Sequence, residues 1–142
     1  MQFISSDCLQ LNKFYKENKN KARAKPSDLL FAALDDDIIC AALRLIPYDT
    51  FFFLRSVLTH PNYRGQGIAA QLIQHAVAST VKQSGALTIY TLPTPKAVSL
   101  YQRLGFKVVD TAEVPLPLQA SYKRFRHANN DSRVMVLQVP LG

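Results

Sequence analysis

Three apolar segments of strand length follow one another in the first half of the chain. They cover residues 29–34, 38–46 and 50–59, and β-branched and aromatic residues run through the third. None alternates cleanly between apolar and polar positions, so we expect strands covered on both faces by helices. The aspartates from Asp35 to Asp37 separate the first two segments. Because aspartate tolerates turn conformations, a hairpin turn is favoured here over a metal site.

Helical periodicity appears in three other segments. Apolar and charged residues interleave over residues 8–20, behind Asp7 as a candidate N-cap. The longest pattern covers residues 68–84 and meets Gly85 where a C-terminal cap is expected. A shorter helix is predicted over residues 97–104 and is closed by Gly105.

The remaining segments complete a mixed pattern of strands and helices. Further strands are predicted over residues 87–92, 106–109 and 133–139. A polar, proline-containing excursion occupies residues 111–132, with a predicted helix over 118–127. The pattern predicts an α/β (α+β) fold, and a length of 142 residues predicts a single domain over 1–142.

Composition excludes several classes of protein. With 48% hydrophobic and 19% charged residues the chain is too apolar for disorder, and it lacks the roughly 18-residue apolar run that spanning a bilayer needs. Two cysteines, Cys8 and Cys40, are too few for a disulfide framework or a zinc site. The first residues lack a basic leader followed by an apolar stretch. We therefore expect a cytoplasmic protein with reduced thiols, no membrane partner and no bound metal.

The positive charge lies in two separate blocks. Seventeen Lys and Arg against ten Asp and Glu leave a net charge of +7. Six of the cations fall between Lys13 and Lys25, mostly on the solvent face of the first helix, and a second group is Lys123, Arg124 and Arg126. An anionic small ligand, nucleic acid or a merely solvated surface would each explain this excess. Nucleic acid is disfavoured, because no recognition helix, zinc spacing or aromatic RNA-binding motif is present.

Two of the five glycines stand at the junction of the third strand and the long helix. Glycine lets the backbone turn sharply, and the first turn of a helix offers unpaired N–H groups at its positive end. The segment Arg64-Gly65-Gln66-Gly67 therefore suits an anion such as a pyrophosphate. It matches neither a P-loop nor the dinucleotide-binding fingerprint. A tight turn without a ligand is the alternative.

The surrounding residues resemble the GNAT superfamily of N-acetyltransferases. The family's cofactor motif, Arg/Gln-x-x-Gly-x-Gly/Ala, is met by Arg64, Gly67 and Ala69 in the segment VLTHPNYRGQGIA. A second block, AVSLYQRLGF over residues 97–106, is similar to the family's downstream helix and the Leu-Gly-Phe that follows it. Residues 28–110 carry most of the resemblance.

This resemblance implies a fold and a cosubstrate. The fold is a mixed, mostly antiparallel central sheet splayed in the middle, with helices on both faces, and acetyl-CoA lies in the gap. Strand residues would pair with the pantetheine arm as a sheet edge pairs with a peptide, and loop amides would hold the pyrophosphate. The implied cofactor-binding residues are Val57, Leu58, Thr59, Arg64, Gly65, Gln66, Gly67, Ile68, Ala69, Ala70 and Thr94. At Thr94 many relatives have an asparagine instead.

The resemblance also implies direct attack of a neutral amine on the acetyl thioester. The backbone N–H of Leu58 would polarise the thioester carbonyl, and Tyr101 matches the tyrosine that relatives use as general acid. Packing within the core is the alternative role for Tyr101. Many relatives carry a glutamate base where this chain has Arg55, and no acidic residue lies between Thr50 and Asp110. Deprotonation would then use water, a backbone carbonyl, His60 or a residue of the excursion.

Arg55 suggests the nature of the acceptor. A guanidinium in the cleft would favour a carboxylate on the acceptor, and the run Leu54-Arg55-Ser56-Val57 resembles that of amino-acid N-acetyltransferases. Contact with solvent or with Asp49 is the alternative. The sequence thus predicts an N-acetyltransferase, monomeric or homodimeric, that acetylates a primary amine of a small molecule such as an amino acid. Two alternatives are a non-catalytic acetyl-CoA-binding regulator and an enzyme acting on a protein amine.

Overall fold

Seven strands form one sheet in the computed structural model, which describes residues 1–128 and 133–140. Their order across the sheet is β1-β2-β3-β4-β5-β7-β6. The bounds are Gln2–Ser5 (β1), Leu29–Asp35 (β2), Ile38–Pro47 (β3), Phe52–Thr59 (β4), Leu87–Thr91 (β5), Lys107–Val109 (β6) and Val134–Val139 (β7). Within the described ranges β4 and β5 form the one parallel pair, so the predicted mixed, mostly antiparallel sheet is confirmed.

In the part of the chain that the structure describes, four α-helices pack against this sheet: Cys8–Glu17 (α1), Ile68–Ser84 (α2), Val98–Arg103 (α3) and Leu116–Ala128 (α4). Asp7 caps α1 as predicted, because its carboxylate accepts a hydrogen bond from the Gln10 N–H at 2.9 Å. Gly85 caps the end of α2 with a φ of 78°, which favours glycine. No helix in residues 1–128 has the length and apolarity needed to cross a bilayer.

The sheet opens in its middle, as the resemblance implied. Strand β4 pairs with β5 only through residues 52–54, and its second half from Arg55 to Thr59 continues along β3 without β5. The hydroxyl of Thr91 donates to the Leu54 carbonyl at 3.1 Å and closes the last point of contact between the two strands. Beyond that point one edge of β4 is open.

Three apolar clusters cover the two faces of the sheet, which confirms that its strands are covered on both sides. The largest lies under α2 and includes Leu72 and Ile89, a second lies under α1 around Leu11, and a third lies under α4 around Phe53 and Leu118. The apolar runs of β2 to β4 fail to alternate because each contributes side chains to clusters on opposite faces.

Several predicted boundaries differ from the structure. Strand β1 was not predicted, because its four residues become a strand only through pairing with β2. Helix α1 ends at Glu17 rather than at residue 20, since the Asn18 side chain bonds the Phe14 carbonyl at 2.8 Å and Lys19 has a φ of 56°. The predicted turn from Asp35 to Asp37 is confirmed. The end of the 111–132 excursion lies outside the described residues.

Candidate active site

The glycine-rich junction and the open edge of β4 surround a cavity of about 600 Å³, which we call the glycine-loop cavity. Gly65 and Gly67 adopt φ values of 77° and 76°, a conformation that a residue with a side chain would adopt only under strain. Gly67 immediately precedes α2, so the unpaired amides of the first helical turn lie at this cavity. The cations at its wall are Arg64, Lys96 and Arg103. The arrangement suits a ligand that carries several phosphate charges.

Contacts from neighbouring elements fix the loop before α2. The Tyr63 hydroxyl donates to Oδ2 of Asp35 at 2.7 Å, which ties the loop to the hairpin turn between β2 and β3. The Arg64 Nε donates to the Thr59 carbonyl at 3.1 Å. His60 accepts the Asn62 N–H at 3.1 Å through Nδ1 and caps a short 3₁₀ turn. His60 is thus a structural part of the loop and lines neither this cavity nor the one described next.

Tyr101 lies at the boundary between two cavities. It is only 5% exposed and packs edge-on against Phe106, with ring centroids 5.2 Å apart. Burial raises the pKa of its phenol to about 12, opposed by a hydrogen bond with Thr91. At neutral pH the hydroxyl therefore keeps its proton and can donate it. Tyr101 thus packs in the core and also lines both cavities, while its predicted role as general acid stays a prediction.

On the other side of Tyr101 lies a cavity of about 760 Å³, which we call the basic cavity. Four residues line both cavities: Val57, Thr94, Ala97 and Tyr101. Five cations and no Asp or Glu of the described chain line the basic cavity, the cations being Lys21, Arg23, Arg44, Arg55 and Arg124. A small anionic molecule bound in the basic cavity would contact the four residues that this cavity shares with the glycine-loop cavity.

The cations of the basic cavity differ in how they are paired. Arg44 is buried, and its Nε donates to Oδ2 of Asp28 at 2.9 Å, so its charge is already balanced. Arg55 is an exposed residue, and its Cζ lies 5.4 Å from the centroid of the Phe53 ring. Partial burial, together with the nearby Arg44 and Arg124, lowers the pKa of Arg55. Arg55 and Arg124 therefore present positive charge that an incoming anion can balance.

The predicted site residues assemble with one exception. Ten of the eleven residues predicted to bind the cofactor line the glycine-loop cavity, namely Val57, Leu58, Thr59, Arg64, Gly65, Gly67, Ile68, Ala69, Ala70 and Thr94. Gln66 does not line it, because its side chain turns back to the Asn62 carbonyl at 3.5 Å. Arg55 lines the basic cavity, but it is exposed rather than enclosed in the sheet.

Sequence reasoning missed part of the basic cavity. The predicted helix ended at residue 20, and no role was assigned to Lys21 and Arg23 beyond it. In the structure α1 ends at Glu17, and the loop after it brings both cations to the cavity. Arg124 belonged to a recognised charge block with no assigned role. Thr91, the hydrogen-bond partner of Tyr101, belongs to no sequence motif and lies in an ordinary strand, so the sequence did not reveal its role.

The acetyltransferase (GNAT) domain family matches residues 26–108, more than half of the chain. The chain therefore belongs to the GNAT acetyltransferase family, whose members use acetyl-CoA as cosubstrate. An amino-acid acetyltransferase of Edwardsiella ictaluri is 31% identical over 91 residues. That match covers 64% of this chain but only 20% of the relative's length.

Two solved structures are similar over nearly their whole length. The ribosomal-protein-S18-alanine N-acetyltransferase of Escherichia coli has a TM-score of 0.74 at 16% identity. The match covers 99% of this chain and 95% of the Escherichia coli chain. An aminoglycoside 6'-N-acetyltransferase complexed with coenzyme A has a TM-score of 0.72 at 16% identity. This match covers 99% of our chain and 98% of the aminoglycoside enzyme's chain. At this identity the two structures show a shared fold. Their acceptors differ in kind, so the likeness does not identify an acceptor.

Proposed function

We propose that the protein is an acetyl-CoA-dependent N-acetyltransferase whose acceptor is a small molecule bearing both a primary amine and a carboxylate. One observation carries the proposal: a phosphate-suited cavity meets, at Tyr101, a cavity whose charged lining residues in the described chain are all cations. The first accounts for the cosubstrate, and the second accounts for the negative charge of the acceptor. The 31% identity to an amino-acid acetyltransferase supports the same acceptor class.

The glycine-loop cavity fits the coenzyme by its donor groups and its open strand edge. Amides from Arg64 to Ala70 and the positive end of α2 suit the pyrophosphate, and an extra Cβ at Gly65 or Gly67 would meet nothing within 4 Å. The open edge at Val57 to Thr59 can pair with the pantetheine amides. Thr94, at the wall of both cavities, offers a hydroxyl. Bound acetyl-CoA supplies a thioester that the acceptor's neutral amine attacks.

Three groups of the chain then divide the chemical work. The N–H of Val57, at the open edge of β4, hydrogen-bonds the thioester carbonyl and stabilises the negative charge that develops on its oxygen. The sequence assigned this task to Leu58, but the antiparallel register turns the Leu58 N–H toward Ala42 of β3.

Tyr101 donates its phenolic proton to the departing sulfur. Burial raises its pKa to about 12, which keeps the phenol protonated at neutral pH although it also makes it a weaker acid. Arg55 binds the acceptor carboxylate. No carboxylate of the described chain lines either cavity, so a water, a backbone carbonyl or a residue of the 111–132 excursion removes the proton of the acceptor ammonium.

A thiol-release assay on matched acceptors tests the proposal. The panel contains amino acids, their carboxamides, the corresponding amines without a carboxylate, polyamines, and peptides with a free N-terminus. We expect the kcat/KM of an accepted amino acid to exceed that of its carboxamide at least tenfold. Equal values for the pair would contradict the acceptor class, and turnover of peptides alone would assign a protein amine instead.

Within residues 1–128 and 133–140 no carboxylate lines either cavity, which favours a second candidate, a non-catalytic protein that binds acetyl-CoA and regulates a partner. The same experiments separate the two candidates. A regulator would be stabilised against thermal unfolding by acetyl-CoA but would release no CoA with any amine of the panel.

A further inference from the structure

The loop between α1 and β2, residues 18–28, contributes two cations to the basic cavity. Lys21 and Arg23 line the cavity from this loop, and Arg124 lines it from α4. All three residues are exposed, and no ion pair joins any of them to a carboxylate of the described chain. Their positive charge is therefore available to a ligand that enters the cavity.

Side-chain hydrogen bonds fix the backbone of this loop. Asn12, on α1, bonds the backbone of Ala24 twice: its Nδ2 donates to the Ala24 carbonyl at 3.2 Å, and its Oδ1 accepts the Ala24 N–H at 2.7 Å. Within the loop, Oδ1 of Asn20 accepts the Ala22 N–H at 2.8 Å. The two loop cations thus alternate with residues whose backbone is held by hydrogen bonds.

The positive charge of the basic cavity exceeds what a single carboxylate balances. Arg44 is already paired with Asp28, so four of the five lining cations remain, and the proposed function uses one of them, Arg55. A dicarboxylate would balance two of the four. A molecule with one carboxylate and one phosphate would balance about three, because a phosphate monoester carries about −1.5 to −2 charges at neutral pH. Its three acceptor oxygens point in different directions, which suits donors that come from separate elements.

We propose that the acceptor carries a phosphate besides its amine and its carboxylate, and that Lys21, Arg23 and Arg124 bind this phosphate. Asn12 is the positioning residue that holds the loop with the first two cations. The inference rests on the proposed function, which supplies the amine and the carboxylate. Guanidinium groups match the oxygens of a phosphate in pairs, and an ammonium adds a point charge. A cavity of about 760 Å³ leaves room for the added group.

The first test compares acceptors that differ only in the second group or in its charge. O-phosphoserine is paired with serine, and glutamate with glutamine, in the thiol-release assay. We expect the kcat/KM of O-phosphoserine to exceed that of serine at least tenfold, and this phosphate gain to be larger than the gain of glutamate over glutamine. Calorimetric titration of the CoA-bound protein with the same four compounds needs no turnover and should give the same order of affinities.

The second test assigns the phosphate gain to the loop. The double variant Lys21→Gln/Arg23→Gln should reduce the phosphate gain at least fivefold and leave the KM for serine and the CoA dissociation constant within twofold. The matched control is Lys13→Gln/Lys16→Gln. It removes the same charge from two exposed residues of α1 that line neither cavity, and it should keep the phosphate gain of the wild type.

The third test separates positioning by Asn12 from stability. Asn12→Ala loses both hydrogen bonds to Ala24, so the KM for O-phosphoserine should rise at least fivefold. The kcat and KM for serine should stay within twofold, because the contacts with the amine and the carboxylate are untouched. A merely structural role would impair both acceptors alike and weaken CoA binding, which would contradict the positioning role.

Four results would overturn the inference. Turnover of serine with a kcat/KM at or above that of O-phosphoserine would exclude the phosphate and leave the proposed function standing. A glutamate gain as large as the phosphate gain would assign the cations to a second carboxylate. A phosphate gain that persists unchanged in Lys21→Gln/Arg23→Gln would place the phosphate elsewhere. If none of the four compounds, nor any other amine, released CoA, the proposed function would fail and the inference with it.

Discussion

Replacing Tyr101 by Phe removes one hydroxyl from the boundary between the two cavities. The ring keeps its edge-on contact with Phe106, and the Thr91 hydroxyl keeps its bond to the Leu54 carbonyl. We therefore expect the free energy of unfolding to change by about 1 kcal/mol or less at neutral pH. Loss of a general acid should lower kcat by roughly 10²–10⁴-fold, with the CoA dissociation constant unchanged.

The matched control for this change is Tyr90→Phe. Tyr90 packs against Phe51 at the same 5.2 Å centroid distance and 80° interplanar angle as Tyr101 against Phe106, but lines neither cavity. Steady-state thiol release, with a pre-steady-state trace to establish that acetyl transfer limits turnover, measures both variants. A Tyr101→Phe kcat within threefold of the wild type under those conditions would refute the acid role.

The same pair of variants tests the raised pKa. A tyrosine with an ordinary pKa near 10 when unfolded and about 12 when folded stabilises the protein fully below pH 10, and this contribution is lost as pH rises to 12. Two pKa units correspond to about 3 kcal/mol. Chemical denaturation between pH 9 and about 12 should show a smaller alkaline loss of stability in Tyr101→Phe than in Tyr90→Phe. Equal losses would contradict the shift.

Three further changes probe the remaining parts of the site. Arg55→Gln should raise the KM for a carboxylate acceptor about 10–100-fold in the thiol-release assay, with Lys123→Gln on α4 as control; an unchanged KM would contradict the carboxylate contact. Gly67→Ala should destabilise the protein by about 1–2 kcal/mol, because Gly67 has a φ of 76°. It should also weaken CoA binding measured by calorimetry. A CoA affinity equal to that of the wild type would show that the loop before α2 does not fit closely around the coenzyme. Arg44→Met leaves Asp28 buried without its partner and should lower the unfolding free energy by about 3–5 kcal/mol in urea titrations; a loss under about 1 kcal/mol would contradict a strong buried pair.

Local chemistry made much of the fold predictable. The N-cap at Asp7, the turn at Asp35 to Asp37 and the cap at Gly85 each depend on interactions within a few residues, so composition and spacing were enough to locate them. The glycines before α2 depend on the same kind of local requirement. Strand β1 and the early end of α1 depend on contacts with distant segments or on individual side-chain bonds, and the apolar pattern did not reveal them.

The sequence by itself determined the family motif, the order of most elements and the residues around the anion-binding loop, because these are contiguous in the chain. Only the tertiary structure decided what lies opposite that loop. The basic cavity draws its cations from the loop after α1, from β3 and β4, and from α4, segments separated by up to about a hundred positions. Tyr15 and Arg44 likewise reach Ser56 of β4 from two other elements. Charges and donors from such distant segments converge only when the sheet and its covering helices assemble.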